Sequence, residues 1–159
     1  MSRILIALGT LLVLAVIDVS IYGKEKLRRN GEIVLLELAP VDPRSLMQGD
    51  YMALRFRLAQ EIEGSWHTGV APSEGETRTV AVTVDAERVA KLAAKVPGST
   101  LPLRYRVRQG AAWLGTNAFF FEEGGAKRFA GARYGEFRID RESGEAMLVA
   151  LRGANREPL

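Results

Sequence analysis

The run Ile4–Tyr22, ILIALGTLLVLAVIDVSIY, constrains this chain more than any other feature, because its 19 residues carry a single charge, Asp18, near the far end. A helix of that length, rising about 1.5 Å per residue, is long enough to cross the hydrocarbon core of a bilayer. A buried helix of a soluble core would show one polar face, and this run shows none. A cleaved secretory signal has a shorter apolar run followed by small residues, and Val19-Ser20-Ile21-Tyr22-Gly23-Lys24 offers no such site. The expected reading is an uncleaved transmembrane anchor, with a cleaved signal as its competitor. Tyr22 then falls at the interface and Lys24, Lys26, Arg28 and Arg29 fall among headgroups. Asp18 lies about one turn below that level. It reads as a hydrated carboxylate before it reads as a contact with a partner helix.

Orientation is contested by two rules. Four basic residues follow the span and only Arg3 precedes it, a count that favours a cytoplasmic C-terminal domain. The layout of a short basic start before a long apolar run is that of a signal anchor, which exports the chain on its C-terminal side. These residues leave the side of the membrane open.

Charge and chemistry narrow the rest. Of 22 basic and 19 acidic residues, five and two fall in 1–29, so 17 of each remain beyond it. The net charge of +3 therefore belongs to the segment beside the apolar run, and the folded part is neutral. A protein that tracks phosphates on nucleic acid carries its basic surplus on the folded surface, so nucleic acid is not an expected partner. The chain has no cysteine and one histidine, His67. That removes disulfide scaffolds, thiolate metal sites, cysteine nucleophiles and any site needing two imidazoles. No cofactor and no metal ligand set is expected, and His67, in a Gly/Ser/Glu-rich loop beside Trp66, reads as a surface residue.

Beyond the anchor, assigned to 1–23, residues 24–32 read as a polar stalk with a turn at Asn30-Gly31, and 33–159 as one domain. Ile33–Leu38 is a short apolar strand, and 41–49 a turn-rich connection. Tyr51–Leu58 alternates as a half-buried strand, with Met52, Leu54, Phe56 and Leu58 on the core face. Residues 63–77 read as a loop. Arg78–Val84 is β-branched and strand-like. In Asp85–Val96 the apolar residues Val89, Leu92, Ala93 and Val96 recur at helical spacing behind Asp85, which predicts a short capped helix. Leu103–Val107, Ala111–Leu114, Asn117–Phe121, Arg133–Asp140 and Ala146–Leu151 complete the strands. The class is mainly β: a mostly antiparallel barrel or sandwich with one short helix behind an N-terminal transmembrane helix.

Gly49-Asp50-Tyr51-Met52-Ala53-Leu54-Arg55-Phe56 resembles the signature of the GDYxxLxY family of membrane-anchored bacterial proteins. Ala39–Arg44, Gly115–Gly124 and Ala132–Asp140 are similar to that family as well, so the likeness covers nearly the whole chain. Phe56 stands where the family name has tyrosine. The resemblance implies a single-span anchor in the inner membrane, an extracytoplasmic, periplasmic domain, and multi-pass membrane proteins as partners. It implies no reaction. Read by themselves, Gly49 and Asp50 form a turn into a strand held by an Asx carboxylate, Tyr51 opens the polar face, and Leu54 and Phe56 share the core face. The functional alternative is a recognition site at Gly49, Asp50, Tyr51, Leu54 and Phe56.

Three further groups are candidates for chemistry. Arg104, Arg106 and Arg108 form a period-two stripe, extendable by Arg55 and Arg57, that suits an anion or lipid headgroup. The plainer reading is a solvated face whose arginines pair with Glu61, Glu63, Glu122 or Glu136. Glu122 and Glu123, adjacent on a strand, point to opposite faces and do not form an acid–base pair. Ser45–Asp50 resembles the serine segment of type I signal peptidases, which would make Ser45 a nucleophile. Its base is missing: Lys91 and Lys95 fall on the predicted helix, and Lys127 follows a Gly-Gly turn. The expected function is an accessory protein that binds a partner and does no catalysis.

Overall fold

A computed structural model describes residues 2–39, 47–48, 51–68, 71–93 and 100–159. Helix α1 (Ser2–Asn30) carries the apolar run, whose most apolar 18-residue window has a mean hydropathy of 2.7 and is nowhere buried against the protein. This is one long apolar helix at the N-terminus, of a length and composition that can cross a membrane.

The expected stalk is not a separate linker. Residues 24–30 continue α1 without a break, and Glu25 pairs with Arg28 (2.8 Å) and Arg29 (2.5 Å) at helical spacing. Leu27 is 6% exposed, the one buried residue among the described part of α1. The helix stops at Asn30 and Gly31, where the Gly31 amide donates to Leu27 O at 2.8 Å.

From there the chain enters strand β1 (Glu32–Glu37), which pairs antiparallel with β9 (Tyr134–Ile139); β9 pairs on its other side with β10 (Ala146–Arg152). Val34 and Phe137 face each other at the centre of this sheet, and both are fully enclosed. A second sheet, in the order β5-β4-β6-β7, comprises β4 (Thr77–Val84), β5 (Ala90–Leu92), β6 (Thr100–Arg108) and β7 (Ala111–Trp113), all antiparallel. A third, in the order β2-β3-β8, is formed by β2 (Met47–Gln48), β3 (Tyr51–Ala53) and β8 (Ala118–Phe120). The sheets are stitched by backbone bonds. Leu35 N donates to Arg88 O (2.7 Å), Ala39 N to Arg55 O (2.7 Å) and Arg104 N to Gly144 O (2.8 Å). Val34, Leu36, Val82, Leu103, Phe137 and Ile139 form the middle of one continuous core. The architecture is mainly β with antiparallel sheets, one of them curled as a half-barrel.

Two elements differ from expectation. The strand expected over Tyr51–Leu58 ends at Ala53, and helix α2 (Arg57–Ser65) begins behind Phe56 and runs into a 3-10 turn at Trp66–Thr68. Leu58, Ala59 and Ile62 form its buried face, a helical spacing in residues of high helix propensity. Burial of Met52, Leu54, Phe56 and Leu58 is as expected, because Leu58 points inward under either geometry. The helix expected over Asp85–Val96 is a hairpin instead. Arg88 adopts φ +64°, and Ala90–Leu92 pairs with Val82–Val84 of β4. Asp85 does cap, but it caps the turn: its Oδ1 accepts from the amides of Glu87 (3.0 Å) and Val89 (2.9 Å). Residues 94–96 lie outside the described part. A short helix α3 (Ala126–Phe129) follows β8.

Candidate functional site

Two places bring together the residues singled out in the sequence. The first is the motif strand. Gly49, Asp50 and Ser45 lie outside the described residues. Tyr51 is half-buried on β3 opposite Phe120 of β8, with ring centroids 5.8 Å apart. Leu54 and Phe56 are 6% and 3% exposed, so both belong to the core, and both also line a cleft of 270 Å³. The Phe56 ring meets Phe137 edge-on at 5.3 Å. It lies so close to Gly135 that a β-carbon there would stand 2.9 Å from the ring. Phe119 and Phe121 turn inward against Phe129, while Phe120 between them is 75% exposed. Alternate residues of a strand face opposite sides, which separates Phe120 from its two neighbours. Aromatic residues such as phenylalanine and tyrosine are enriched in the cores of protein interfaces.

The second place is the junction of α1 with the β domain. Lys24 reaches Glu145, which stands in the turn between β9 and β10, and the other oxygen of Glu145 is 3.6 Å from Arg104. The Arg138 guanidinium donates to Gly31 O at 3.1 Å, and Leu27 fills the space beneath. Arg104, Arg106 and Arg108 alternate outward on β6 between the buried Leu103, Tyr105 and Val107. With Lys24, Thr77, Trp113 and Thr116 they line a cleft of 680 Å³. Arg106 donates to Gly75 O (3.1 Å), and Arg108 lies 5.1 Å from the centre of the Trp113 ring. Among the described residues neither meets a carboxylate. Arg55 and Arg57 do not extend the stripe. Each has its own acidic partner at 3.3 Å, Glu63 and Glu37 respectively. The participation of Lys24 was not legible in the sequence, since 121 residues separate it from Glu145.

The remaining candidates are dispersed. Lys91 sits on β5, not on a helix, with its ammonium 3.6 Å from Asp85. Glu122 and Glu123 follow β8 in a turn, where Glu122 O accepts from the Gly125 amide (2.8 Å). His67 is exposed in the 3-10 turn. Two turn aspartates are shifted: Asp140, bonded to the Ser143 amide (2.7 Å) and hydroxyl (2.8 Å), and Asp85 are both held below the ordinary carboxylate range by those bonds. These are structural caps, each closing a turn of its own.

A family model for the GDYXXLXY protein matches residues 13–151, from the middle of α1 to the last strand of the first sheet. The chain belongs to the GDYXXLXY family. The match takes in the second half of the apolar helix and the β domain as far as Leu151. Comparison with curated proteins and with solved structures finds no match.

Proposed function

We propose that this GDYXXLXY protein is a membrane-anchored accessory protein. In this reading α1 spans the inner membrane once, the β domain lies on the periplasmic side, and the domain binds a multi-pass membrane protein without catalysing a reaction. The observation that supports it best is the uninterrupted junction. The apolar helix enters the domain with no flexible stalk, so a domain anchored this way sits at one height and one rotation beside the bilayer. A fixed pose lowers the orientational cost of docking against another membrane protein. Phe120 with Tyr51 is the patch suited to such a contact.

The test is co-purification of the full chain in mild detergent. A stoichiometric membrane-protein partner that is lost in Phe120→Ala, with the domain still folded, is the expected result. Recovery of the chain alone, or a partner indifferent to Phe120, refutes the reading. The side of the membrane is measured separately. The chain has no cysteine, so Ser73→Cys, in an exposed turn before β4, is a clean target for an impermeant thiol reagent. Labelling in intact spheroplasts is expected; protection until lysis places the domain in the cytoplasm.

A further inference from the structure

The arginine cleft and the end of the apolar helix are one site, and this juxtaposition goes beyond partner binding. The geometry points to an anionic phospholipid headgroup from the surrounding leaflet as the ligand of the cleft lined by Lys24, Arg104, Arg106 and Arg108. The inference rests on α1 being a membrane span.

Charge is the first argument. Four cations line the cleft against one carboxylate, Glu145, so among the described residues its lining carries a net excess of three positive charges, and Arg106 and Arg108 meet no carboxylate. Of the other acidic groups nearby, Glu76 pairs with Arg78 (2.6 Å), while Glu74, which accepts from the amides of Gln109 (3.0 Å) and Gly110 (3.4 Å), borders an adjoining cleft with Arg106 and Arg108 and offsets part of that excess. The outward face of β4 opposite the stripe carries Thr77 and Thr79, in register with Arg106 and Arg104, and brings no acid. Guanidiniums at period-two spacing present forked donors to a phosphate, and the threonine hydroxyls add neutral ones.

Height is the second argument, and it selects the source of the phosphate. Lys24 is two residues beyond Tyr22, about 3 Å along the helix axis from the last residue of the apolar run. A cleft that includes Lys24 therefore opens at the level where lipid phosphates lie around such a helix. Trp113, in the same wall, is the residue type that collects at that level. A volume of 680 Å³ holds a phosphodiester headgroup with its water.

The experiment uses the full chain in nanodiscs of equal parts phosphatidylcholine and phosphatidylglycerol, with retained lipid read by native mass spectrometry. One phosphatidylglycerol held in preference to phosphatidylcholine is expected. Arg106→Gln with Arg108→Gln should reduce that preference by about 10- to 30-fold, since each basic group near an anionic headgroup contributes about fivefold. Thr77→Glu, which adds a carboxylate to the cleft and removes no contact of the junction, should reduce it as well. Equal retention of the two lipids, or retention unchanged in both variants, overturns the inference. Displacement of the lipid by millimolar inorganic phosphate assigns the cleft to a soluble anion and overturns the lipid source. Incorporation into discs of phosphatidylcholine alone tests the anchor separately. A chain that fails to enter them refutes the membrane span, and the inference with it.

Discussion

Gly31→Ala probes the close approach of α1 to β9 at the junction that sets the pose of the domain. A β-carbon at position 31 would stand 2.5 Å from Leu27 O and 2.9 Å from the β-carbon of Arg138. Neither atom can swing aside, since the first is helix backbone and the second is rooted in β9. Overpacking of this kind costs about 1–3 kcal/mol. Moving the chain to relieve it also breaks the 3.1 Å bond from Arg138 to Gly31 O, a charge-assisted bond that contributes about another 1.5 kcal/mol. The junction is closed chiefly by Leu27, Lys24 and that bond, and a load of about 2.5–4.5 kcal/mol matches the roughly 1.5–4 kcal/mol that one buried leucine and one exposed ion pair return. The variant should therefore populate an undocked α1 beside the docked one while the β domain stays folded. Spin labels at Ile21→Cys and Thr79→Cys, both exposed sites in a cysteine-free chain, report the outcome by dipolar distance measurement in nanodiscs. One narrow distance distribution is expected for the native junction and a broad one for Gly31→Ala, with an unchanged circular-dichroism melt above the loss of the junction. A broad distribution in the native protein, or an equally narrow one in the variant, refutes the reasoning.

Other predictions concern the domain itself. Arg152→Met should destabilise it by about 2–4 kcal/mol, because it strips the partner from Glu136, 6% exposed in the central strand of the first sheet; chemical denaturation reads the loss, and Glu136→Leu in the same chain should restore most of it. Gly115→Ala should cost about 2–3 kcal/mol by thermal melting, since φ is +79° there and a β-carbon would stand 2.7 Å from Ala146 O. Asp140→Ala removes the acceptor for two amides and a hydroxyl of the β9–β10 turn and should cost about 1–2 kcal/mol. The folded pKa of Asp140 is depressed, chiefly by the Ser143 amide, so its contribution is present above the ordinary carboxylate range and is lost as pH falls through the depressed value. Melts of the native protein below about pH 4 should converge on those of Asp140→Ala; a constant gap down to the lowest pH contradicts the assignment.

What the sequence determined by itself is what local pattern encodes. An apolar run with no polar face is a helix that needs an apolar surround, wherever the rest of the chain folds. Alternation in Leu103–Val107 specifies a strand with Arg104, Arg106 and Arg108 on one side, and the structure sets them outward with Leu103, Tyr105 and Val107 inward. The family, too, is legible from short motifs, and its model spans helix and domain together.

Partnership was decided only in three dimensions. Apolar spacing at Val89 and Leu92 fits a helix, yet β4 offered an edge to pair, and Arg88 could turn the chain back onto it. Leu58 closes an alternating run and also opens a helical one with Ile62, and packing against the sheets chose the helix. The stalk became part of α1 because Leu27 found a place to be buried, a fact held in β9 and β10 more than 100 residues away. The same distance hid the candidate site. Periodicity says which face a residue takes, but only long-range packing could set Lys24 and Arg104 on the two oxygens of Glu145.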